Sequence, residues 1–369
     1  NNTTAMTGFL NALIIFLNIV TLIDNKITAV IKNEHGGPEV LKYVEDFPIP
    51  TIKPNEVLLN VGATSLNRID TVVRKGYPGL KIPMPHILGG DMAGTIVELG
   101  SEVSGFITGD RVVSYPVYLP EYRDPKYADM EHLNDGWQFF GMQRHGAYCE
   151  YMAVPAENLF KIDDEVSFET AASMPIAGLT AYHAVHSVTD LNKGDIFFVW
   201  GGAGGLASYA IQMAKLRGAV VIATVGNEEK RQNVLAYGAD YVFNHFKDDV
   251  PALVREIAPK GVDLLIDYVG PNTFDRSFSM LRKNGHIVFC GIITGTETKL
   301  SIHQTYFRHL NLRGIYLGSK SEFASFLDLV NKKQVKSHIH KVFELKDAHK
   351  AHELLESGNY SGKIALKIS

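Results

Sequence analysis

The densest chemical signal in the chain is Val199-Trp200-Gly201-Gly202-Ala203-Gly204-Gly205-Leu206-Ala207. Read as G-x-G-x-x-A, it puts Gly202, Gly204 and Ala207 where a dinucleotide-binding turn needs three different things. These are a tight exit from a strand, a backbone that a pyrophosphate can approach, and a small residue where helix packs on sheet. The apolar run IFFVW at 196–200 enters the turn, and Ala207, Ala210, Ile211 and Ala214 leave it at helical spacing. A helix N-terminus placed there offers free N–H groups and a positive dipole end to phosphate oxygens. Gly202, Ala203, Gly204, Gly205 and Leu206 are therefore the candidate phosphate cradle. The chemistry implied is hydride transfer with a nicotinamide dinucleotide.

The end of the next strand reports on the ribose. An NAD site usually carries Asp or Glu about 20 residues after the fingerprint, bonding the 2′-hydroxyl. Here that place reads Ala223-Thr224-Val225-Gly226-Asn227, without an acid. Glu228 and Glu229 come later and suit the first turn of a helix. Lys230 and Arg231 are close enough to meet a 2′-phosphate, although a solvated helix face is the alternative. Asn227, Lys230 and Arg231 thus favour NADPH over NADH.

These residues need a sheet to hold them. Across 178–318, apolar strands at 196–200, 219–225, 240–243, 263–268, 286–290 and 311–316 alternate with helical stretches at 227–237, 248–258 and 272–282. That rhythm predicts a parallel sheet buried on both faces and doubly wound. Residues 26–158 differ. ITAVI at 27–31, EVLLNVGATSLN at 56–67, AGTIVELG at 93–100 and DRVVSYPVY at 110–118 are short β-type runs punctuated by Gly and Pro. They predict a β-barrel or sandwich-like domain. The tail reads as helices at 322–331 and 347–357 and a closing strand at 363–368. Segment 116–145 is the least patterned, and is read as a lid or a packed excursion. The fold class is α/β.

Composition sets the outer bounds. A chain of 369 residues suggests two domains, and a net charge of −4 argues against a nucleic-acid surface. Two cysteines, Cys149 and Cys290, can build neither a disulfide framework nor a four-cysteine zinc site. Low cysteine usage fits a reducing, cytoplasmic setting. The apolar run at 9–23 is broken by Asn11 and Asn18, and is shorter than the roughly 20 residues of a spanning helix. Residues 1–25 are expected to be an extension outside the main fold. A membrane anchor through 9–23, or a surface-docked helix, is the alternative.

Several segments together resemble the medium-chain dehydrogenase/reductase superfamily. They are GGPEVL at 36–41, SLNRID at 65–70, HILGGDMAGTIVELG at 86–100, GDRV at 109–112, HGAYCEYMAVP at 145–155, AGLTAYHAV at 177–185 and GHIVFCG at 285–291. The similarity is to its zinc-independent quinone oxidoreductase branch, the zeta-crystallin-like proteins. It implies a GroES-like β-rich catalytic domain, 26–176 completed by 319–369, and a Rossmann domain at 177–318. It also implies a homo-dimer or homo-tetramer. In zinc-dependent relatives the first ligand is Cys, matched here by Asn67. The second is His, matched by Gly90, and the third falls at about Ala177. None can bind zinc, which needs Cys, His or carboxylate, and the 116–136 stretch holds no cysteine for a structural zinc.

The matched positions supply the candidate residues. Asn67 is implied to face nicotinamide and substrate, with an amide able to donate to an oxygen. Tyr77 is a candidate proton donor or stacking wall, and Thr180 lies in the segment packed against the nicotinamide in relatives. Arg68 matches a phosphate contact. Gly291 and Ile292 follow the fifth strand, where backbone could hold the carboxamide. Asp70, His145 and His183 are read as structural. The expected activity is zinc-free, NADPH-dependent hydride transfer to a quinone or α,β-unsaturated carbonyl as small-molecule substrate. The alternatives are an alcohol dehydrogenase acting on simple alcohols and a silent NADPH-binding protein.

Overall fold

The computed structural model describes residues 25–77 and 79–368. The 9–23 run and its proposed roles lie outside the described residues.

Among the described residues, ten strands open the β-rich half. They are β1 (Lys26–Lys32), β2 (Lys42–Pro48), β3 (Glu56–Ser65), β4 (His86–Ile87), β5 (Ala93–Leu99), β6 (Arg111–Ser114), β7 (Val117–Tyr118), β8 (Gln138–Phe139), β9 (Tyr151–Pro155) and β10 (Leu159–Lys161). The central strand β3 is covered on both faces: Val57, Leu59, Val61 and Ala63 are fully buried, and Leu58 is nearly so. It pairs antiparallel with β5 and β9. The 110–118 run is two strands rather than one, because the chain breaks at Tyr115-Pro116 and β7 turns away to pair with β8. That pair closes the base of the 116–145 lobe. The lobe then docks on the start of a helix at Lys320–Asn331, where the Lys320 N–H donates to Glu131 at 3.2 Å.

Six parallel strands follow: β11 (Ile196–Val199), β12 (Val220–Val225), β13 (Tyr241–Asn244), β14 (Val262–Asp267), β15 (Leu281–Phe289) and β16 (Asn311–Gly314). Their spatial order is β13-β12-β11-β14-β15-β16. The order reverses between β11 and β14, and the crevice outside the carboxyl ends of such strands is where this architecture takes a ligand. The chain then returns. β17 (Ile339–Glu344) lies parallel to β18 (Lys363–Lys367), and β18 pairs with β3. The end of the chain is thereby stitched to the strand that leads into Asn67.

Local structure departs from expectation in two places that matter for the site. A helix, α1 (Arg68–Lys75), follows Asn67 directly. The predicted 227–237 helix is split into a short 3-10 turn at Glu228–Lys230 and a helix at Arg231–Ala236. Among the described residues no helix is long and apolar enough to cross a membrane.

Candidate active site

The glycine turn is shaped by lack of space as much as by φ. Gly201, with φ +59°, supplies the left-handed step, so the tight turn expected of Gly202 sits one residue earlier. Gly202 is needed for a different reason. A Cβ there would lie 2.8 Å from Ala223 Cβ and 2.9 Å from Val234 Cγ1. Its N–H donates to the Thr224 carbonyl at 2.7 Å, pinning the turn to β12. Tyr268, which sequence reasoning missed, donates its hydroxyl to the Gly201 carbonyl at 2.6 Å. A Cβ on Gly204 would lie 2.9 Å from that hydroxyl oxygen. Helix α2 (Gly205–Leu216) starts here with Gly204 as its extended cap, and Ala207 is fully buried against the sheet. The backbone of Gly204, Gly205 and Leu206 thus presents a helix N-terminus whose first two residues carry no side chain of their own. These residues fit a dinucleotide pyrophosphate.

Cationic groups stand around that turn. Arg68, at the first position of α1, bonds to Tyr360, whose phenol is raised by burial and eased back by that guanidinium. Lys230 donates to the Gly358 carbonyl, and burial, with Arg68 adding, holds its ammonium below the usual lysine range. The 358–362 segment is tied to the turn itself, because the Gly362 N–H donates to the Ala203 carbonyl at 2.7 Å. Asn227 accepts from the Lys230 N–H at 3.3 Å and so shapes the loop on which Lys230 sits. His245 is a second missed residue. Its ring bonds to Thr224 Oγ1 at 3.0 Å, and burial, with Arg276 and Lys230 adding, lowers it to about 4. Arg231 is placed elsewhere than expected. Its guanidinium is held by Glu228 and by the Val242 carbonyl of the outer strand β13.

Where the nicotinamide is expected, Gly291 packs so closely on Tyr268 that a Cβ would overlap the Tyr268 carbonyl oxygen. Ile292 is 47 % exposed. Thr180 lies on the helix at Pro175–Tyr182, and its hydroxyl donates to the Ile176 carbonyl at 2.7 Å. That hydrogen is committed within the helix, which leaves Thr180 only as an acceptor. Tyr77 is half-buried just past α1, near Tyr316.

Beneath Asn67 lies a charge network that sequence reasoning did not find. Asp91, fully buried, accepts from Ser65 Oγ at 2.6 Å, from Asn67 Nδ2 at 2.7 Å and from the Ile176 N–H at 2.9 Å. Lys363, 4 % exposed, reaches the same carboxylate at 3.1 Å. The lysine also donates to Asn67 Oδ1 at 2.6 Å and to the Leu66 carbonyl at 2.9 Å. Its stem packs on Gly205, where a Cβ would lie 2.5 Å from Lys363 Cδ. One buried ammonium therefore joins the glycine turn to the Asn67 loop. The ammonium fixes the Oδ1 end of the Asn67 amide and the Asp91 carboxylate fixes the Nδ2 end, which leaves one Nδ2 hydrogen for another acceptor.

Asp70 completes the loop by accepting from the Asn67 N–H at 2.7 Å. Burial raises its carboxyl to about 7, with the Asn67 hydrogen bond opposing and the Asp91 charge adding. The unfolded chain ionises Asp near about 3.9, so the folded state holds this proton more tightly. Stability contributed by Asp70 is then present at low pH and is lost as pH rises through about 7. In Asp70→Asn, urea unfolding from about pH 5 to about pH 8 is expected to show a flatter decline than the parent. An identical decline would contradict this assignment.

The donor set does not fit a catalytic zinc. Asn67 offers an amide already bonded at both ends. Beside Gly90, a Cβ would lie 2.5 Å from Phe139 Cε1 and 2.9 Å from Ile176 Cδ1, so hydrocarbon fills the place where a ligand would project. Both oxygens of Asp91 are taken. Cys149 is buried and Cys290 half-buried, and desolvation raises both thiols, Cys290 to about 12.

The chain is similar to known dehydrogenases and quinone oxidoreductases. Residues 53–164 match the alcohol dehydrogenase GroES-like domain model, and residues 205–332 match the zinc-binding dehydrogenase model. A zinc-type alcohol dehydrogenase-like protein of Schizosaccharomyces pombe is 31 % identical over 92 % of this chain and 98 % of its own. Quinone oxidoreductase 1 of Escherichia coli is 30 % identical over 90 % and 97 %. A crystal structure of an NAD-dependent alcohol dehydrogenase superposes with a TM-score of 0.88 at 35 % identity, covering 93 % of this chain and all of that one.

Proposed function

Because the chain belongs to the medium-chain dehydrogenase/reductase superfamily and is an oxidoreductase, we propose that it reduces quinones or enones with NADPH and without a metal ion. The observation that carries this reading is the Asn67–Asp91–Lys363 network, in which the amide at the position matched to the first zinc ligand is held by a carboxylate and an ammonium instead. When bound, a reduced nicotinamide supplies a hydride, which brings both electrons and one of the two hydrogens that the acceptor gains. A quinone or conjugated enone is electron-poor enough to take it without Lewis-acid help, whereas a simple alcohol is not readily ionised that way. The remaining Asn67 N–H meets the charge that develops on the acceptor oxygen, and water delivers the second hydrogen as a proton. Arg68 and Lys230 supply positive charge for the dinucleotide phosphates.

The missing acid after β12, with Lys230 and the neutral His245 nearby, favours a 2′-phosphate. The test is NADPH and NADH oxidation against naphthoquinones, enones and aldehydes. The expected result is a kcat/KM at least tenfold higher for NADPH, equivalent to about 1.4 kcal/mol, with quinone or enone acceptors. A preference for NADH, or turnover of aldehydes alone, would overturn it.

We further propose that two copies associate through β16. That strand is one of the two edges of its sheet, opposite β13, where unpaired backbone groups invite pairing with a symmetry mate. The preceding helix at Ile302–Phe307 leaves Ile302, Tyr306 and Phe307 75 %, 63 % and 61 % exposed. Ile302→Asp is expected to halve the mass in light scattering at micromolar concentration. An unchanged mass would place the contact elsewhere.

A further inference from the structure

Strand β8 turns its two side chains in opposite directions. Phe139 is buried beside Gly90, whereas Gln138 is exposed and lines an open cavity of about 350 Å³. The other walls are Pro83, His86 of β4, and the consecutive Gln143, Arg144 and His145. The cavity thus lies across β8 from the Asn67 cleft.

Its polar groups lack partners in a complementary way. His86 is 1 % exposed, and its Nε2 has no hydrogen-bond partner among the described residues. Burial lowers this imidazole to about 4, with the Gly141 carbonyl opposing and His145, Lys32 and His35 adding. A neutral ring has one hydrogen. The Gly141 carbonyl draws it to Nδ1, which leaves a bare lone pair on Nε2. A buried acceptor in that state is costly until a donor meets it. Arg144 has the opposite need. Its guanidinium lies 3.7 Å from the Tyr118 ring centroid and reaches Gln138 Oε1 at 3.4 Å, but meets no carboxylate among the described residues. Lys53, on the same tyrosine, adds positive charge. Gln143 commits its Oε1 to the Phe139 N–H at 2.9 Å, which leaves its amide hydrogens for a ligand. No carboxylate lines the cavity. His145 is the movable part. It is exposed, with its ring 5.6 Å from that of His86 and its Nδ1 accepting from the Ile87 N–H at 3.3 Å. A small turn of that ring opens His86 Nε2 to the cavity.

We propose that this cavity binds a phosphate that keeps one acid hydrogen, either the free inorganic ion or a phosphate monoester. Its anionic oxygens meet Arg144 and the Gln143 amide, and its P–O–H hydrogen goes to His86 Nε2. Sulfate has the same shape and a similar charge but no hydrogen near neutral pH, so it would set an oxygen lone pair against that of His86. The site is independent of the reductase reading.

Calorimetric titration of the NADP⁺-loaded protein at about pH 6, where a monoester retains its hydrogen in about half of its molecules, tests this with inorganic phosphate, sulfate and glycerol 3-phosphate. Saturable phosphate binding is expected, with sulfate weaker by about tenfold or more. Arg144→Met is expected to weaken phosphate by a similar factor, and His86→Phe to bring it down to the sulfate level. A thermal melt shows whether His86→Phe is folded. Arg144 is half-buried at the cavity wall, so its variant keeps the test decisive if the histidine variant is not. Both sources fit the proposal, and glycerol 3-phosphate separates them: tighter binding than inorganic phosphate marks a monoester as the occupant, and weaker binding marks the free ion. Absence of saturable heat, sulfate binding equal to phosphate, or phosphate binding untouched by Arg144→Met overturns the proposal.

Discussion

Lys363→Met is expected to cost the protein about 3–5 kcal/mol of stability, the usual penalty when one partner of a buried ion pair is removed. The variant leaves the Asp91 carboxylate fully buried without its cation, and it strips Asn67 Oδ1 of its donor. The amide is then free to rotate, so kcat is expected to fall along with the melting midpoint. Adding Asp91→Asn removes the stranded charge, and the double variant is expected to recover much of the stability but not the turnover. Urea unfolding and steady-state kinetics on both proteins check this. A double variant no more stable than Lys363→Met alone would show that the pair is not coupled as described.

The second large effect belongs to the phosphate turn. Gly202→Val places its side chain against Ala223, Val234 and Ile211, all fully buried. The sheet and helix cannot yield easily, so the turn must move away from β12 and from the pyrophosphate position. NADPH affinity is expected to fall about 100-fold, equivalent to roughly 2.7 kcal/mol, read from the dissociation constant by nicotinamide fluorescence. A thermal melt on the same sample separates this from unfolding, because overpacking of this kind costs about 1–3 kcal/mol. Unchanged affinity in a folded variant would remove the turn from the cofactor site.

What could be read from the amino-acid order was the part of the molecule governed by local rules. IFFVW followed by glycines and alanines at helical spacing marked β11 and α2. The alternation that followed gave all six strands of the parallel sheet, although β15 begins five residues earlier than expected, at Leu281. The helix α1 was not legible, because RIDTVVRK is short and mostly polar. It is held by Asp70 at its start and by the buried Lys32 ammonium, which donates to the Val73 carbonyl at 2.9 Å near its end. Lys32 is 41 residues away in sequence from that carbonyl, so no local pattern reports it. β17 was missed for a related reason: IHKVFE is largely exposed, and only its pairing with β18 makes it a strand.

The site divides along the same line. Gly202, Gly204 and Lys230 were read from residue type and spacing, and Arg68 from the family resemblance. Lys363 and Asn67 are 296 residues apart, and a lysine in a closing strand carries no sign that its ammonium ends beneath the catalytic loop. Arg231 illustrates the converse. Its spacing suited a phosphate, but the outer strand offered the Val242 carbonyl and the preceding turn offered Glu228, and the guanidinium is held there. Tyr268 and His245 had weak signals, each standing at or just past the end of a strand whose carboxyl edge faces the crevice.

The central claim is that hydride moves in this cleft with no metal ion present. Protein dialysed against a strong chelator, shown by elemental analysis to hold well under one zinc per chain, should be assayed for NADPH oxidation with 1,4-naphthoquinone beside untreated protein. The account requires equal rates in the two samples. Activity lost on chelation and restored by stoichiometric zinc would contradict it.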